Sequence, residues 1–402
     1  MRVIVAGASG FVGRELVPLL APVVNEIVLV GRNPDRLRRL FPKQKCVSYE
    51  NLSTKIEGFD MMLCLITRNN DQSGTIEDFR KVNVQKVFEL AQIAQQSNVS
   101  HFVHFSTFHV VGLSQVKSSY AQSKLEAEIR LLSLSHINVI NLRLPAVYGR
   151  ALSGKLKALR IFPSSIRQKI LRWVGVVHPV ISVDSIVRQI TMLRNSTRGP
   201  VYLSDENSRL FGIVKRCIDL LGALTILLLL GWLFPIIWVA VKLDSSGPGV
   251  FSQERVGKDK QVFRCYKFRT MFTDTKQRAT HQVSATSVTR IGATLRATKL
   301  DELPQIINIF QNSMSLVGPR PCLPGQVELI RRREERQVFD VVPGITGLAQ
   351  VRQVDMRNPT LLAELDSEYI HTRSLLLDIK ILLSTALGRG SGDRVSANDG
   401  LK

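Results

Sequence analysis

The sequence predicts an α/β protein of two domains, the second of which begins with a membrane-associated helix. Short apolar runs alternate with helical stretches through the first half, the pattern of a doubly wound parallel sheet. A charge-free apolar run then occupies residues 220–241, and a smaller, mainly helical α/β segment follows it. A chain of 402 residues has room for two or three domains, and we place them at residues 1–208 and 209–402.

Composition narrows the choice of partners. The formal net charge of +21 favours an anionic membrane surface or a phosphate-rich substrate. Aromatic residues make up only 6% and are not interleaved with the basic ones, so no nucleic acid partner is predicted. The five cysteines form no CxxC pair, which argues against a disulfide framework or a zinc site and favours a reducing compartment. The N-terminus does not have the pattern of a signal peptide, so we expect the chain to begin in the cytoplasm.

The first apolar run, residues 2–6, leads into a glycine motif that predicts a dinucleotide site. The glycines are spaced G-x-x-G-x-x-G before a helix expected near Glu15, so the backbone can approach a pyrophosphate at a helix N-terminus. Arg32 ends the second apolar run and suits the 2′-phosphate of NADP, with Arg36 as support. A solvated surface arginine, with NAD as cofactor, is the alternative. The predicted contacts of this Rossmann-like site are Gly7, Gly10, Phe11, Val12, Gly13 and Arg32.

Further apolar runs predict strands at residues 61–66, 102–105 and 139–142, with helices at 84–95 and 123–134 between them. Ser106-Thr107 ends one strand, and Tyr120-Ala121-Gln122-Ser123-Lys124 opens the next helix. Tyr120 and Lys124 are one helical turn apart, and a nearby ammonium would favour the phenolate near neutral pH.

With the glycine motif, Asn83, the segment 142–149 and Val183-Asp184, these residues resemble the extended short-chain dehydrogenase/reductase family of sugar-nucleotide epimerases, dehydratases and reductases. The resemblance implies that Tyr120 donates the proton, that Lys124 also binds the nicotinamide ribose, and that Thr107 hydrogen-bonds the reacting oxygen.

Two departures qualify this resemblance. Phe108-His109 follows Thr107 where the family's 4,6-dehydratases have an acidic residue, which argues against dehydration. The sugar-binding part is also abbreviated, so a non-catalytic binding role stays open. A basic stretch is either a surface that rests on anionic lipid or a solvated face. Its members are Lys155, Lys157, Arg160, Arg167, Lys169, Arg172 and Trp173.

The apolar run at residues 220–241 is long enough to suggest a membrane span, but Pro235 divides it. The part before the proline is about 15 residues, or roughly 22 Å, which is short of a hydrocarbon core of about 30 Å. Basic residues stand at both ends, so the charge bias gives no crossing direction. A helix over residues 217–243 that enters the membrane, breaks at Pro235 and returns would keep both domains on the cytoplasmic side.

The carboxylates of the second domain stand among basic residues. Pro304 is tolerated in the first turn of a helix, which places Asp301 near an N-cap where the dipole keeps carboxylates ionised. Capping alone would account for Asp301. Arg296, Lys299 and the rigid turn that presents Arg320 are nearby in sequence, and carboxylates among cations point to Mg²⁺ and phosphate chemistry.

Five stretches of the second domain, at residues 245–257, 266–271, 296–305, 314–321 and 343–350, together resemble the bacterial sugar transferase family, the monotopic polyprenyl-phosphate phosphoglycosyl transferases. The resemblance implies a UDP-sugar donor, undecaprenyl phosphate as acceptor at the bacterial inner membrane, and UMP as product. It implies that Asp301 is the nucleophile, that Glu302 assists as base or metal ligand with Mg²⁺, and that Arg296, Arg320, Lys267 and Arg269 bind phosphate. Phe234 stands where some members have serine, so we expect a less pronounced break at Pro235.

We therefore predict a fused enzyme that starts a surface glycan such as O-antigen. Its first domain would be an NADPH-dependent reductase of a UDP-4-keto-sugar. A UDP-sugar 4-epimerase, a non-catalytic nucleotide-binding module and a membrane scaffold without transferase activity are the alternatives. A homodimer is one of the oligomeric states left open, and the tail from residue 388 to 402 is expected to be disordered.

Overall fold

The computed structural model describes residues 1–52, 56–111, 118–152, 154–193, 198–204, 208–273 and 287–388. The chain divides into two compact units, Met1–Asn207 and Ser208–Lys402. The joint expected at residues 205–208 lies outside the described residues except for Ser208, as does the expected disordered tail beyond Gly388.

The first unit is built on a seven-stranded parallel sheet, which confirms the predicted α/β class. The strand order is β3-β2-β1-β4-β5-β6-β9, so the order reverses between β1 and β4. The strands are β1 (Arg2–Ala6), β2 (Glu26–Val30), β3 (Lys45–Val47), β4 (Met61–Cys64), β5 (His101–Thr107), β6 (Asn138–Leu144) and β9 (Gly199–Tyr202).

Helices cover both faces of this sheet. Alternate residues of β1 show it, because Val3 and Val5 join one buried cluster while Ile4 and Ala6 join another. The helices are α1 (Phe11–Leu20), α2 (Pro34–Leu40), α3 (Ile76–Arg80), α4 (Val87–Gln96), α5 (Ser119–Leu131), α6 (Ser164–Val177) and α7 (Val183–Met192). A π-helical turn, Lys81–Lys86, joins α3 to α4.

The helix of the glycine motif begins at Phe11, four residues before the expected start near Glu15. Gly10 is its N-cap and makes no side-chain capping bond. A short parallel pair, β7 (Ala146–Tyr148) with β8 (Val180–Ser182), brackets α6 and the basic stretch.

The second unit is mainly helical, and its described residues form two two-stranded pairings. The antiparallel hairpin is β10 (Val250–Val256) with β11 (Val262–Phe268), and the parallel pair is β12 (Ser315–Val317) with β13 (Gly344–Thr346). The helices are α8 (Ser208–Leu230), α9 (Leu233–Asp244), α10 (Arg290–Thr298), α11 (Gln305–Phe310), α12 (Val327–Glu334), α13 (Leu348–Val351), α14 (Pro359–Thr372) and α15 (Leu375–Ala386).

The apolar run forms the second part of α8 and most of α9, which meet at a bend of 66°. Among the described residues no single helix has the length and apolarity to cross a membrane, but the α8–α9 pair taken together does, as a broken span or a re-entrant loop would. The position of the break was predicted wrongly. The break lies at Gly231 and Trp232 rather than at Pro235, because the ring of a proline crowds the carbonyl four residues earlier, that of Gly231. That Phe234 makes the break less pronounced than in members with serine stays a prediction.

Candidate active sites

The first candidate site lies at the carboxyl edge of the parallel sheet, where the strand order reverses. Gly7 follows β1 with φ +88°, and a Cβ there would stand 2.9 Å from the Ile66 nitrogen beyond β4, so the turn requires glycine. Gly10 begins α1 with no side-chain cap, and the first turn, which contains Phe11, Val12 and Gly13, carries no acidic residue. A Cβ on Gly13 would stand 2.5 Å from Ala8. The predicted cofactor contacts therefore form one uncapped, positively polarised helix end that fits a pyrophosphate.

Arg32 follows β2 at the same edge of the sheet. Its side chain is exposed and hydrogen-bonds to no other residue in the described part of the chain. Arg36 lies on α2 and is also exposed, while its backbone N–H donates to the Asn33 side chain that caps the helix. Both guanidinium groups are accessible to an anion.

Tyr120 and Thr107 come together as predicted, with a third residue that sequence reasoning missed. The Tyr120 hydroxyl hydrogen-bonds to the side chains of Thr107, at the end of β5, and Thr67, just beyond β4. The expected lowering of the tyrosine pKa is wrong for this structure. Burial raises the pKa of Tyr120, and the two threonine hydroxyls offset only part of that.

Within the described residues the Lys124 ammonium hydrogen-bonds to strand β5 and not to the Tyr120 phenol. Lys124 Nζ donates to the Phe105 carbonyl over 2.8 Å and lies 3.4 Å from His104 Nε2. Burial lowers the pKa of Lys124 to about 8. His104 is also buried, its Nδ1 is 3.1 Å from Asn141 Oδ1, and burial and Lys124 hold its pKa well below the usual value.

A buried ion pair between Glu128 and Arg143 lies next to this site. Glu128 on α5 accepts from Ser106 Oγ over 2.5 Å and from Arg143 over 2.6 Å, and Arg143 also donates to the Tyr202 hydroxyl. Asn83, which matched the family pattern, lies on the π-helical turn and bonds the Arg68 backbone and Ser123. It therefore ties α5 to the loop that follows β4, near Thr67.

The second candidate site is centred on Glu302, which two cations share. Lys267 Nζ, from β11, lies 2.9 Å from Glu302 Oε1, and Arg320 Nη2 lies 2.8 Å from the same oxygen. Burial opposes ionisation of this carboxyl, but Arg320 and Lys267 outweigh burial and hold the pKa of Glu302 well below its usual value. Glu302 is therefore ionised at every physiological pH.

Asp301 lies beside Glu302 in a one-turn 3₁₀ helix, Leu300–Glu302, entered through Lys299 in the left-handed conformation. The N-cap prediction is wrong, because Pro304 is the N-cap of α11 and Asp301 makes no capping bond. The helix dipole does not lower the pKa of Asp301 below its ordinary value. Burial raises the pKa of Asp301, Lys267 offsets part of this, and the neighbouring Glu302 carboxylate adds to it. No hydrogen-bond partner holds the Asp301 carboxylate within the described residues.

The turn that carries Arg320 packs tightly against β13, because Gly318 in the turn and Gly344 in the strand leave no room for a side chain. Gly318 N–H donates to the Thr346 carbonyl, Gly344 N–H donates to the Pro319 carbonyl, and a Cβ on Gly344 would stand 2.0 Å from the Gly318 nitrogen. The Arg320 carbonyl accepts from Arg333 Nη1 over 2.9 Å, and Arg333 forms a buried pair with Asp366 at 2.7 Å. Arg333 was missed because it lies in a run of basic residues. Its position four residues after Leu329, on the buried face of α12, was the available signal.

The other two predicted phosphate-binding residues differ from each other. Arg296 on α10 donates from Nε to the Thr270 hydroxyl, and its charge acts on Asp301. The prediction that Arg269 binds phosphate is wrong. Its buried guanidinium donates to the carbonyls of Val241, Ser245 and Ser246, where α9 ends, so its hydrogen bonds hold that helix instead of a phosphate.

Helix α8 is tied to the same site near its middle. Asp219 is buried and accepts from the Leu316 N–H and the Ser315 hydroxyl, directly before the turn that carries Arg320. Lys215 pairs with Asp378 at 2.7 Å, and the Tyr369 hydroxyl donates to the same carboxylate.

A magnesium site needs few protein ligands. No group of three or more His, Cys, Asp or Glu side chains is arranged for a metal in the described residues. Mg²⁺ is usually held by one or two carboxylates, waters and substrate phosphates. Asp301 and Glu302 Oε2 make no hydrogen bond to the described part of the protein and fit this donor set.

The strand order, the glycine turn and the Tyr120–Thr107 contact define a Rossmann-like domain in the first unit. The carboxylates and cations of the second unit define a site of a different chemical type. The comparisons agree with this division: residues 210–389 match the family described as Bacterial sugar transferase, and residues 3–181 match the NAD dependent epimerase/dehydratase family.

Curated relatives match the second unit. Exopolysaccharide production protein ExoY of Rhizobium meliloti is 34% identical over 223 residues, which are 49% of this chain and 97% of that protein. Undecaprenyl-phosphate glucose phosphotransferase of Komagataeibacter xylinus is 41% identical over 184 residues, 42% of this chain. The chain covers only 35% of the length of that protein.

The chain belongs to the bacterial sugar transferase family, and it carries a domain of the NAD dependent epimerase/dehydratase family before the transferase domain. Among solved structures, UDP-N-acetylglucosamine 4-epimerase from Bacillus cereus is similar, with 16% identity, a TM-score of 0.42, and coverage of 55% of this chain and 84% of that one.

Proposed function

We propose that the second unit transfers a sugar 1-phosphate from a UDP-sugar to polyprenyl phosphate, undecaprenyl phosphate in a bacterium. One observation carries the proposal: the unbonded Asp301 carboxylate lies next to a carboxylate that Lys267 and Arg320 already neutralise. A carboxylate without a hydrogen-bond partner can act as a nucleophile, and cations beside it can hold phosphate oxygens. Together they suit attack on a diphosphate. Family membership and the printed name of the Komagataeibacter xylinus relative support this reaction class.

The reaction takes place in two displacements at one phosphorus. An Asp301 oxygen forms a bond to the phosphorus that bears the sugar, the bridging P–O bond of the diphosphate breaks, and UMP leaves with that electron pair. An oxygen of polyprenyl phosphate then attacks the same phosphorus and restores the Asp301 carboxylate. Arg320, Lys267 and Arg296 hold the phosphoryl oxygens in both steps.

Asp301 and Glu302 would also hold Mg²⁺, which when bound neutralises charge on the diphosphate. Glu302 keeps Lys267 and Arg320 in place through hydrogen bonds. Because Glu302 stays ionised, it remains available as a ligand throughout the cycle.

The test is UMP release by the full chain in detergent, with UDP-sugars and polyprenyl phosphate. Asp301→Asn should reduce turnover by roughly a thousandfold or more, as loss of a nucleophile does. Asp340→Asn changes an exposed carboxylate of the same unit and should have no effect. Mass spectrometry after donor alone should find the sugar phosphate on Asp301. Unchanged UMP release in Asp301→Asn would refute the nucleophile.

For the membrane, the proposal is that the bent α8–α9 pair enters and leaves on one side, with both units in the cytoplasm. The bend, and the tethering of the middle of α8 and the end of α9 to the catalytic elements, support a dip. Tags at the two termini should be reached from the cytoplasmic side only. A periplasmic tag would contradict it.

For the first unit, the proposal is an NADPH-dependent reductase of a UDP-4-keto-sugar that supplies the donor. The uncapped glycine turn fits the cofactor, which when bound supplies hydride. Tyr120 gives a proton to the sugar oxygen, and Thr107 and Thr67 orient its hydroxyl. Arg32, exposed beside the glycine turn, favours a 2′-phosphate.

Cofactor choice tests Arg32 directly. Arg32→Asp should reverse a preference for NADP over NAD in equilibrium binding, whereas Arg39→Asp, on the exposed side of α2, should not. Consumption of NADPH with a UDP-4-keto-6-deoxy-sugar would support the reductase. Inversion of configuration in the sugar by protein that holds NAD⁺ tightly would instead indicate the epimerase. Failure to bind any nicotinamide cofactor would indicate a non-catalytic module.

A further inference from the structure

Helix α6 and the turn before it carry apolar side chains on the outside of the first unit. Ten large apolar side chains are exposed in the described part of that unit, and five of them lie within residues 161–177. Scattered exposed apolar residues need no explanation, but a cluster this dense marks an interaction surface. The five are Ile161, Phe162, Ile166, Trp173 and Val177.

The exposed residues on α6 form one stripe. Ile166, Trp173 and Val177 are spaced by seven and four residues, with the half-buried Ile170 between them, so they share one helix face. Trp173 is 56% exposed. The opposite face, with Leu171 and Val176 buried, attaches the helix to its own domain. The outward stripe is therefore available to a partner.

The segment that carries this stripe is rich in cations and contains no carboxylate of its own. Residues 129–183 contain no Asp or Glu, and seven Lys or Arg occur between positions 150 and 172. Lys169 and Arg172 are exposed on α6, and Lys157 and Arg160 are exposed in the preceding turn. A protein partner of ordinary composition does not require this imbalance, whereas an anionic one does.

We infer that this face of the first unit docks on the surface of an anionic lipid bilayer. An apolar stripe with tryptophan and flanking lysines and arginines is what an interfacial helix presents, with the stripe at the level of the acyl boundary and the cations among the headgroups. A small anion would use the cations but leave the stripe in water. The α6 stripe (Ile166, Trp173 and Val177) therefore distinguishes a lipid surface from a phosphate ligand.

The inference rests on the proposed membrane association of the second unit, which keeps the first unit close to the bilayer. The test is performed on the full chain in nanodiscs of phosphatidylcholine alone or with phosphatidylglycerol. The chain has three tryptophans, so in Trp232→Phe/Trp238→Phe only Trp173 reports. Its emission should shift to the blue and be quenched by brominated acyl chains in the anionic discs, and much less in the neutral discs.

Charge variants identify the cause of docking. Lys157→Gln/Lys169→Gln should shift the docking equilibrium by roughly tenfold or more, since each lysine near an anionic surface contributes substantially. Arg39→Gln/Lys43→Gln removes two exposed cations elsewhere on the same unit and should leave quenching unchanged. The difference between wild type and Trp173→Phe gives the same signal if the double tryptophan variant does not fold.

Several outcomes would overturn the inference. Trp173 emission typical of water in anionic discs would do so. A dimer in detergent that Trp173→Glu dissolves, with equal quenching in both lipids, would assign the α6 stripe to a second copy of the chain. Saturation of the site by inorganic phosphate without quenching would assign the cations to a small anion. A chain that is absent from the disc altogether would instead contradict the proposed membrane association.

Discussion

The ammonium group of the first site and the cations of the second are held in opposite ways. Lys124 is buried against the Phe105 carbonyl, and no carboxylate hydrogen-bonds to it in the described residues, while Lys267 and Arg320 converge on Glu302. The first site thus combines neutral hydroxyls with one amine whose pKa lies near 8, which suits movement of a single proton. The second keeps charges of both signs within hydrogen-bonding distance, which suits a substrate with several negative charges. Local charge pairing separates the two chemistries better than the strong positive charge of the whole chain.

The largest expected effect comes from the residue that organises the second site. Glu302→Gln should reduce UMP release by roughly a thousandfold, because on the proposed function the change removes a metal ligand and releases Lys267 and Arg320 together. Turnover with saturating donor and acceptor measures this loss. The control is Glu328→Gln, which changes an exposed carboxylate on α12. Retention of more than a tenth of the activity would mean that the cations are held by something other than Glu302.

The next prediction separates the two sites. Tyr120→Phe should lower sugar reduction by roughly a hundredfold to ten-thousandfold, the range for loss of a general acid. UMP release from a ready-made donor should be unchanged, since the described contacts of Tyr120, with Thr107, Thr67 and the His109 ring, all lie within the first unit. Parallel assays on one preparation measure both. If the two activities fall together, the sites are coupled and the contrast between them fails.

Arg333 tests whether the buried pair behind Arg320 serves stability or position. Arg333→Met alone should cost about 3 to 5 kcal/mol of unfolding free energy, because Asp366 stays buried without its partner. Arg333→Met/Asp366→Leu should recover most of that stability. UMP release should still fall about tenfold, since the Arg320 carbonyl has lost its donor. Full activity in the stable double variant would make Arg333 purely structural.

The smallest effect concerns pH. On the proposed mechanism Asp301 must be ionised to attack. Burial raises its pKa above the ordinary value, so UMP release should be lost as pH falls through that raised pKa. Arg296 opposes the rise. Arg296→Met should therefore move the acidic limb of the pH–rate profile to higher pH, by less than about one unit. Arg290→Met, an exposed cation on the same helix, should leave the limb in place. A shift to lower pH would contradict the assigned charges.

Much of the first unit could be predicted from sequence because its strands are buried. The apolar runs at residues 2–6, 61–66 and 102–105 have no exposed face to interrupt them, so each predicted strand appears within a few residues. Strands β3 and β9 were missed. They lie at the two edges of the sheet, where a short strand such as Lys45–Val47 needs few apolar residues.

The second site was predictable in identity but not in geometry. The spacing of Asp301, Glu302 and Arg320 indicated their chemistry, and Lys267 joins them. No local pattern shows that Arg269, two residues beyond Lys267, turns to the end of α9, because that contact joins segments 24 to 28 residues apart. The same limit explains the tyrosine pKa. Spacing along α5 placed Lys124 near Tyr120, but the strand carbonyl that captures the ammonium belongs to another element.

The fastening of the bent helix pair has a further consequence. Asp219 anchors α8 to the strand before Arg320, and Arg269 anchors the end of α9 beside the strand of Lys267. The elements that carry the two cations sharing Glu302 are thus attached, through the hydrogen bonds of one residue each, to the two arms of the same apolar wedge. On the proposed function, the depth to which that wedge sinks sets the height of the reacting phosphorus above the bilayer midplane. Acyl-chain length should then act on this enzyme as a specificity factor, because it decides how far a lipid phosphate must rise to reach Asp301.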